Sequence, residues 1–298
     1  MIDYIDEDVG YLLGMIYARG EFQESANLKS FKIELENKSL QAEGINLNFT
    51  HETQIIVSLS KIRERISELL EVEIRQDIQD HSIILYAHFT KSTIGWRDLR
   101  FLTNYKFTHK EFILPDFFFT LEKPIKEQFL KGFCDVAGYI RKSNNDRNGF
   151  HRIYLQIPNR NWILPIQICH LLQVDFKIPV DTIQWGHPNT REPNITDVDI
   201  SHTGWAREHQ IKIYANDFTI GFGFDYKQKI LEEFAEFNLK NSKKPAAICY
   251  PNKKSKSSIK PKHPCESSDF LPVELQGKHF DGYRAICKTL GCKQRKQK

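Results

Sequence analysis

The sequence predicts a mixed α/β fold of the α+β kind: two similar halves, each carrying an antiparallel sheet, followed by a basic tail. Three observations predict it. Two short stretches are built alike, Tyr11-Leu-Leu-Gly-Met-Ile-Tyr-Ala-Arg-Gly20 and Leu130-Lys-Gly-Phe-Cys-Asp-Val-Ala-Gly138, and each reads as one helix ending on a glycine. Each is followed by runs of alternating apolar and polar residues and by an amphipathic helical run. Local matches then recur in the same order, so an internal repeat of 118 residues, Gly20 to Gly138, accounts for the chain.

The two opening helices are justified by the spacing of small residues. Gly10, Gly14 and Ala18 recur every four residues, which lines one face with little side chain and lets another backbone approach. Gly132 and Val136 repeat that spacing. After the first helix, Glu21-Phe-Gln23, Phe31 to Glu36 and Gln54 to Leu59 read as strands of an antiparallel sheet. Lys61 to Leu70 sets Ile62, Ile66, Leu69 and Leu70 on one helical face. Ser82 to Phe89 reads as a strand, and a last helix lies near Asp98 to Thr103.

In the second half Pro124 stands where a helix can start. Arg152 to Ile157 reads as a strand and Trp162 to Leu172 as a helix with Pro165 in its first turn. Gln210 to Ala215 reads as a strand and Lys227 to Phe234 as a helix. Each half is then helix, strands, helix, strand, helix. Leu69-Leu-Glu-Val-Glu-Ile-Arg75 matches Leu171-Leu-Gln-Val-Asp-Phe-Lys177, and Thr93-Ile-Gly-Trp96 matches Thr219-Ile-Gly-Phe222. Residues 181–209, with Trp185, His187, His202, Trp205 and His209, read as a loop-rich insertion.

Composition bounds the function classes. A chain of 298 residues, 40% hydrophobic and 12% aromatic, has material for one large or two medium cores. No run of eighteen apolar residues exists, and the first residues are acidic where a secretory signal is basic, so no membrane span and a cytoplasmic location are expected. Residues 239–298 hold 15 Lys and Arg against 4 Asp and Glu; that net +11, set against +4 for the chain, leaves about −7 on the remainder. A basic tail on an acidic body points to a polyanionic partner.

The paired stretches, aligned as Leu12-Leu-Gly-Met-Ile-Tyr-Ala-Arg-Gly20 and Leu130-Lys-Gly-Phe-Cys-Asp-Val-Ala-Gly138, resemble the double motif of the LAGLIDADG homing-endonuclease family. The resemblance runs over roughly residues 8–237 and implies two half-domains, 1–110 and 111–238, with the motif helices packed between them. It implies two four-stranded sheets forming a saddle in the DNA major groove, and a monomer that binds double-stranded DNA, RNA being the lesser expectation. It also implies one metal-binding acid at the end of each motif helix. Arg19 and Ala137 stand at those positions here.

Site expectations follow from that. The displaced acids Glu21 and Asp135 are the candidates for catalysis, with Mg²⁺ as cofactor if the protein is a nuclease. Arg19 would hold a phosphate at the centre of the saddle. Arg141, Lys142, Asn144, Arg147, Arg152, Gln156 and Arg160 suit base and phosphate contact, with Asn145, His151 and Asn159 beside them. In the first half Lys29 and Lys32 lie among Glu21, Glu24, Glu34 and Glu36, which suits phosphate poorly. Residues 239–298 read as a basic linker and small module in which Cys249, His263, Cys265, His279, Cys287 and Cys292 offer ligands for one zinc, although no CxxC pair occurs. Sequence-specific DNA binding with the usual acids replaced is the preferred reading. A site-specific endonuclease of homing or restriction type using displaced acids, and an RNA-binding splicing maturase, are the alternatives.

Overall fold

The computed structural model describes residues 5–40, 49–79, 82–141, 150–188 and 207–241. The first half runs α1 (Glu7–Arg19), β1 (Gly20–Glu24), β2 (Lys29–Glu36), a single turn α2 (Asn37–Leu40), α3 (Phe49–Leu70), β3 (Ile74–Ile78), β4 (Ser82–Phe89) and α4 (Ile94–Leu102). The second runs α5 (Lys123–Ala137), β5 (Gly138–Arg141), β6 (Arg152–Pro158), α6 (Leu164–His170) with a π-helical turn at Leu171–Asp175, β7 (Thr182–Pro188), β8 (Arg207–Tyr214) and α7 (Asp225–Lys240). Both sheets are antiparallel and four-stranded, ordered β1-β2-β4-β3 and β5-β6-β8-β7.

The helix pair α1 and α5 forms the seam. Asp6 caps α1 by accepting from Val9 N at 2.9 Å, and Pro124 lies in the first turn of α5. A Cβ added at Gly14 would stand 2.0 Å from Phe129 O, and one at Gly132 would stand 2.1 Å from Tyr11 O. Gly14 and Gly132 are 118 residues apart, as are Tyr11 and Phe129, so the contact is reciprocal and marks a pseudo-twofold axis. Gly10 extends the approach to Ile125 O, at 2.7 Å for an added Cβ. Alternate strand residues such as Phe31, Ile33 and Leu35, or Ile153, Leu155 and Ile157, face the helices and join one continuous core.

The structure differs from the sequence reading in three elements. Gln54–Leu59 belongs to α3: Ile55, Leu59, Ile62 and Ile66 are buried at helical spacing, while Ile56 and Val57 are half exposed. The apolar run looked like a strand because it wraps past the buried face. Edge strand β3 follows α3 directly, and Thr182–Pro188 is edge strand β7 rather than loop. Both edges are short or polar, which weakens the alternation that marks inner strands. Each half is therefore helix, two strands, helix, two strands, helix. Residues 242–298, and with them all six proposed zinc ligands, lie outside the described residues.

Gly14→Ala should cost about 3 kcal/mol or more in urea unfolding, because the new methyl meets backbone that cannot swing aside. Gly95→Ala, whose Cβ finds only Leu70 Cδ2 at 3.5 Å, should instead gain about 0.5–1 kcal/mol from helix propensity.

Candidate nucleic-acid interface and its centre

The glycines that end α1 and α5 turn the chain straight into β1 and β5, so residues 19 and 137 sit where the two sheets meet. Arg19 is 5% exposed. Its Nε lies 3.2 Å from Glu36 Oε1 and its Nη2 2.7 Å from Glu208 Oε1. Glu36 is on β2 opposite Ser82, and Glu208 is on β8 opposite Pro158, so each sheet supplies one acid from its matching rung. Nη1 donates to the carbonyls of Ala18 and Gln156. Burial alone would lower the Arg19 pKa, but Glu36 and Glu208 outweigh it and hold the guanidinium above its ordinary value.

Arg19 is thus turned inward between two carboxylates instead of outward toward a phosphate. A divalent cation at these helix ends would meet that guanidinium and the methyl of Ala137, and the residues present do not fit one. Among the described residues no group of three or more His, Cys, Asp or Glu is arranged to hold a metal ion.

His109 lies beside this centre on the segment joining the halves. Its N donates to Gly20 O at 2.9 Å, and its Nδ1 is 3.2 Å from the same oxygen. Burial, helped by the Arg19 charge, lowers its pKa to about 3. His209, inward-facing on β8 between Trp162 and Trp185, is lowered to about 4 by burial.

The structure places Asp135 in the interior. It is fully buried, accepts from Tyr11 Oη at 2.7 Å and Gly223 N at 2.8 Å, and binds Phe224 N at the start of α7. Burial raises its pKa against the opposing pull of Lys227 and these hydrogen bonds. Lys227 caps α5 through the carbonyls of Asp135 and Gly138, at 2.8 and 2.9 Å, and burial lowers its pKa to about 8. Tyr17, 118 residues before Asp135, anchors α1 by donating to Leu102 O at 2.8 Å, at the end of α4. The two equivalent positions tie each motif helix to the last helix of its own half with opposite polarity. Asp135 therefore acts in the packing, and no face of it reaches a substrate.

Glu21 sits on the sheet face away from the helices, one third exposed, with Lys32 Nζ at 2.8 Å across the β1–β2 pair. Lys29 lies on the opposite, helix-side face with Phe31 and Phe89. The outer face of the first sheet carries Glu21, Glu34, Glu36 and Asp77 against Lys32 and Arg75 among the described residues. That of the second carries Arg141, Arg152 and Lys212 against Glu208. Arg152 stacks 4.7 Å from the Tyr214 ring and bridges to Asp181 at 3.1 Å. Gln156 and Gln210 face each other across β6 and β8, and Tyr139 stacks on Tyr154 at 5.0 Å. These side chains pack closely enough that Gln156, Gln210 and both tyrosines are buried, while Arg141 and Lys212 stay partly exposed.

Arg160 is exposed in the turn after β6. His151 is buried between Phe234 and Phe237, with its backbone held by Asn238, so it is a packing residue and not a base reader. Lys142, Asn144, Asn145 and Arg147 lie outside the described residues. Sequence reasoning missed Gln210, Lys212, Glu36 and Glu208 as site residues. The signal was there in β8, where Gln210 and Lys212 alternate with the inward Ile211 and Ile213.

No family model matches the sequence, and no curated protein sequence matches it. Among solved structures the chain is similar to full-length DUF199/WhiA from Thermatoga maritima, at 13% identity and a TM-score of 0.43, over 81% of this chain and 62% of that one. It thus spans less than two thirds of that protein. It is similar to the homing endonuclease I-WcaI bound to its DNA recognition sequence, at 13% identity and a TM-score of 0.40, over 70% of this chain and 76% of that one. It is also similar to the LAGLIDADG homing endonuclease I-GzeII in complex with its DNA target, at 10% identity and a TM-score of 0.37, over 99% and 100% of the two chains. The fold is LAGLIDADG-like on the chain's own topology: two αββαββα halves with the motif helices paired between them.

His109 and His209 set an acid limit on stability. Both folded-state pKa values lie below the ordinary 6.5, so below that pH the unfolded chain takes up protons that the folded one refuses. Stability should fall from pH 6.5 toward about 4, by up to ~1.4 kcal/mol per pH unit for each histidine. Urea unfolding of His109→Gln across that window should show a shallower decline than the parent; an equal slope contradicts the assignment.

Proposed function

We propose that this protein binds a specific site in duplex DNA as a monomer and does not cut it by the metal-dependent route of the fold's nucleases. The observation that carries the reading is the basic outer face of the second sheet, where Arg141 and Lys212 stay partly exposed over a packed layer of Tyr139, Tyr154, Gln156 and Gln210, with Arg152 held against Tyr214 and Asp181. Arginine supplies the paired donors that match a guanine edge in the major groove, and lysine neutralises phosphate. Two solved structures similar in fold are described as bound to DNA, I-WcaI and I-GzeII. A monomer suffices because the pseudo-twofold contact is made within the chain.

The absence of cutting rests on the centre. Ala137 brings no carboxylate, and Arg19 fills the space between Glu36 and Glu208. The nuclease alternative keeps only Glu21 among the displaced acids, since Asp135 is committed to α7.

Incubating the protein with a random duplex library and Mg²⁺, then sequencing bound molecules and cleaved ends, tests both parts. The expected outcome is an enriched motif without cut ends. Cut ends that vanish in Glu21→Gln would establish the nuclease alternative, and no enrichment at all would sink site-specific binding. On the selected duplex, Arg141→Ala and Lys212→Ala should each weaken binding and reduce the salt slope by about 1 if they contact phosphate.

A further inference from the structure

The segment that joins the halves presents a surface that neither the helix pair nor the sheet faces use. From Leu99 to Lys110 it carries Arg100, Lys106 and Lys110 and no acid; Asp98 and Glu111 bound it on either side. The chain leaves α4 through two successive residues in the left-handed region, Asn104 at φ 51° and Tyr105 at φ 57°. Asparagine is at home in a helix-ending turn of this kind, whereas tyrosine is strained there. Arg100 holds the turn in place, its Nη2 donating to Tyr105 O at 2.6 Å and its Nη1 to Lys106 O. Its guanidinium also lies 4.4 Å from the Phe107 ring. Asn104 Nδ2 donates to Ile113 O at 3.0 Å, and Phe22 N donates to Phe107 O at 2.7 Å, which fixes the segment along the β1 edge.

This scaffold spends strain to hold rings in water. Tyr105 is 62% exposed, Phe107 45% and Phe101 49%, with Lys106 and Lys110 exposed beside them. Phe101 stacks on Phe117 and Phe107 lies against Arg100, each leaving about half of its ring surface in water, while Tyr105 is the most exposed of the three. Arg100 also reaches Glu24 at 3.4 Å and the Phe22 ring, so one buried guanidinium ties the turn to β1, and residues held in sparsely populated backbone regions cluster at functional sites. Flat rings interleaved with cations match bases interleaved with phosphates.

We propose that this surface binds an unpaired polynucleotide strand, with bases stacked on Tyr105 and Phe107 and phosphates beside Lys106 and Lys110. Ring faces and ammonium groups meet bases and phosphates, which RNA and DNA share, so both kinds of single strand bind. The surface lies along the β1 edge of the first sheet, with Thr108 bridged to Glu21, and shares no residue with the basic face of the second sheet on which the proposed duplex reading rests.

The test uses the full chain, fluorescence anisotropy, and labelled oligothymidylate, oligouridylate and duplex probes. Tyr105→Gly is the informative variant, because it removes the ring and relieves the strain together. Both single strands should bind the parent, and Tyr105→Gly should weaken both about tenfold. Its thermal midpoint should be equal or higher, and its affinity for duplex unchanged. Lys106→Glu should weaken single-strand binding and flatten its salt dependence. No single-strand binding by the parent, or unchanged binding by Tyr105→Gly, overturns the proposal. A parallel loss of duplex affinity would place the patch in the duplex site, and a change confined to self-association in sedimentation would assign it to a second copy of the chain; either result overturns it as well.

Discussion

Backbone contact between α1 and α5 is the constraint on which the rest of the molecule depends. Three glycines remove the side chains that would keep the helices apart, and the reciprocal approach of Gly14 to Phe129 and Gly132 to Tyr11 sets the halves about a twofold axis. Because both helices end on glycine and pass directly into a strand, the same contact fixes where the two sheets begin relative to one another. The outer faces and the centre between them are consequences of that geometry.

At the centre the chain departs from symmetry. One helix ends in arginine and the other in alanine, and the arginine is matched by one acid from each sheet. A buried ion triad of this kind contributes less to net stability than to fixing one arrangement, since desolvation offsets much of the attraction. Here it joins β2 of the first half to β8 of the second through one guanidinium. The outer faces carry the asymmetry further, acidic on the first sheet and basic on the second.

Much of this was legible in the sequence, and the parts that were not share a cause. The small-residue spacing and the 118-residue repeat foretold the helix pair, because close approach admits few residue types. Inner strands and helices with a clean apolar face were legible for the same reason. Gln54–Leu59 was misread because six apolar-rich residues carry no decisive period until joined to the turns that follow. Edge strands β3 and β7 were missed because a half-paired strand does not need regular alternation. Glu36 and Glu208 were invisible as a pair: they are 172 positions apart, and only strand register brings them to one guanidinium. Asp135 shows the converse, since an acid near a motif's end reads as chemistry until α7 is seen to start on it.

Arg19 joins the two halves by binding one acid from each. A double-mutant cycle on unfolding free energy, with Arg19→Met, Glu208→Gln and both together, measures it most directly. Coupling of about 1.5 kcal/mol or more is expected, the double variant being less destabilised than the sum of the singles. Additivity within ~0.5 kcal/mol would contradict it and leave the centre open for other chemistry.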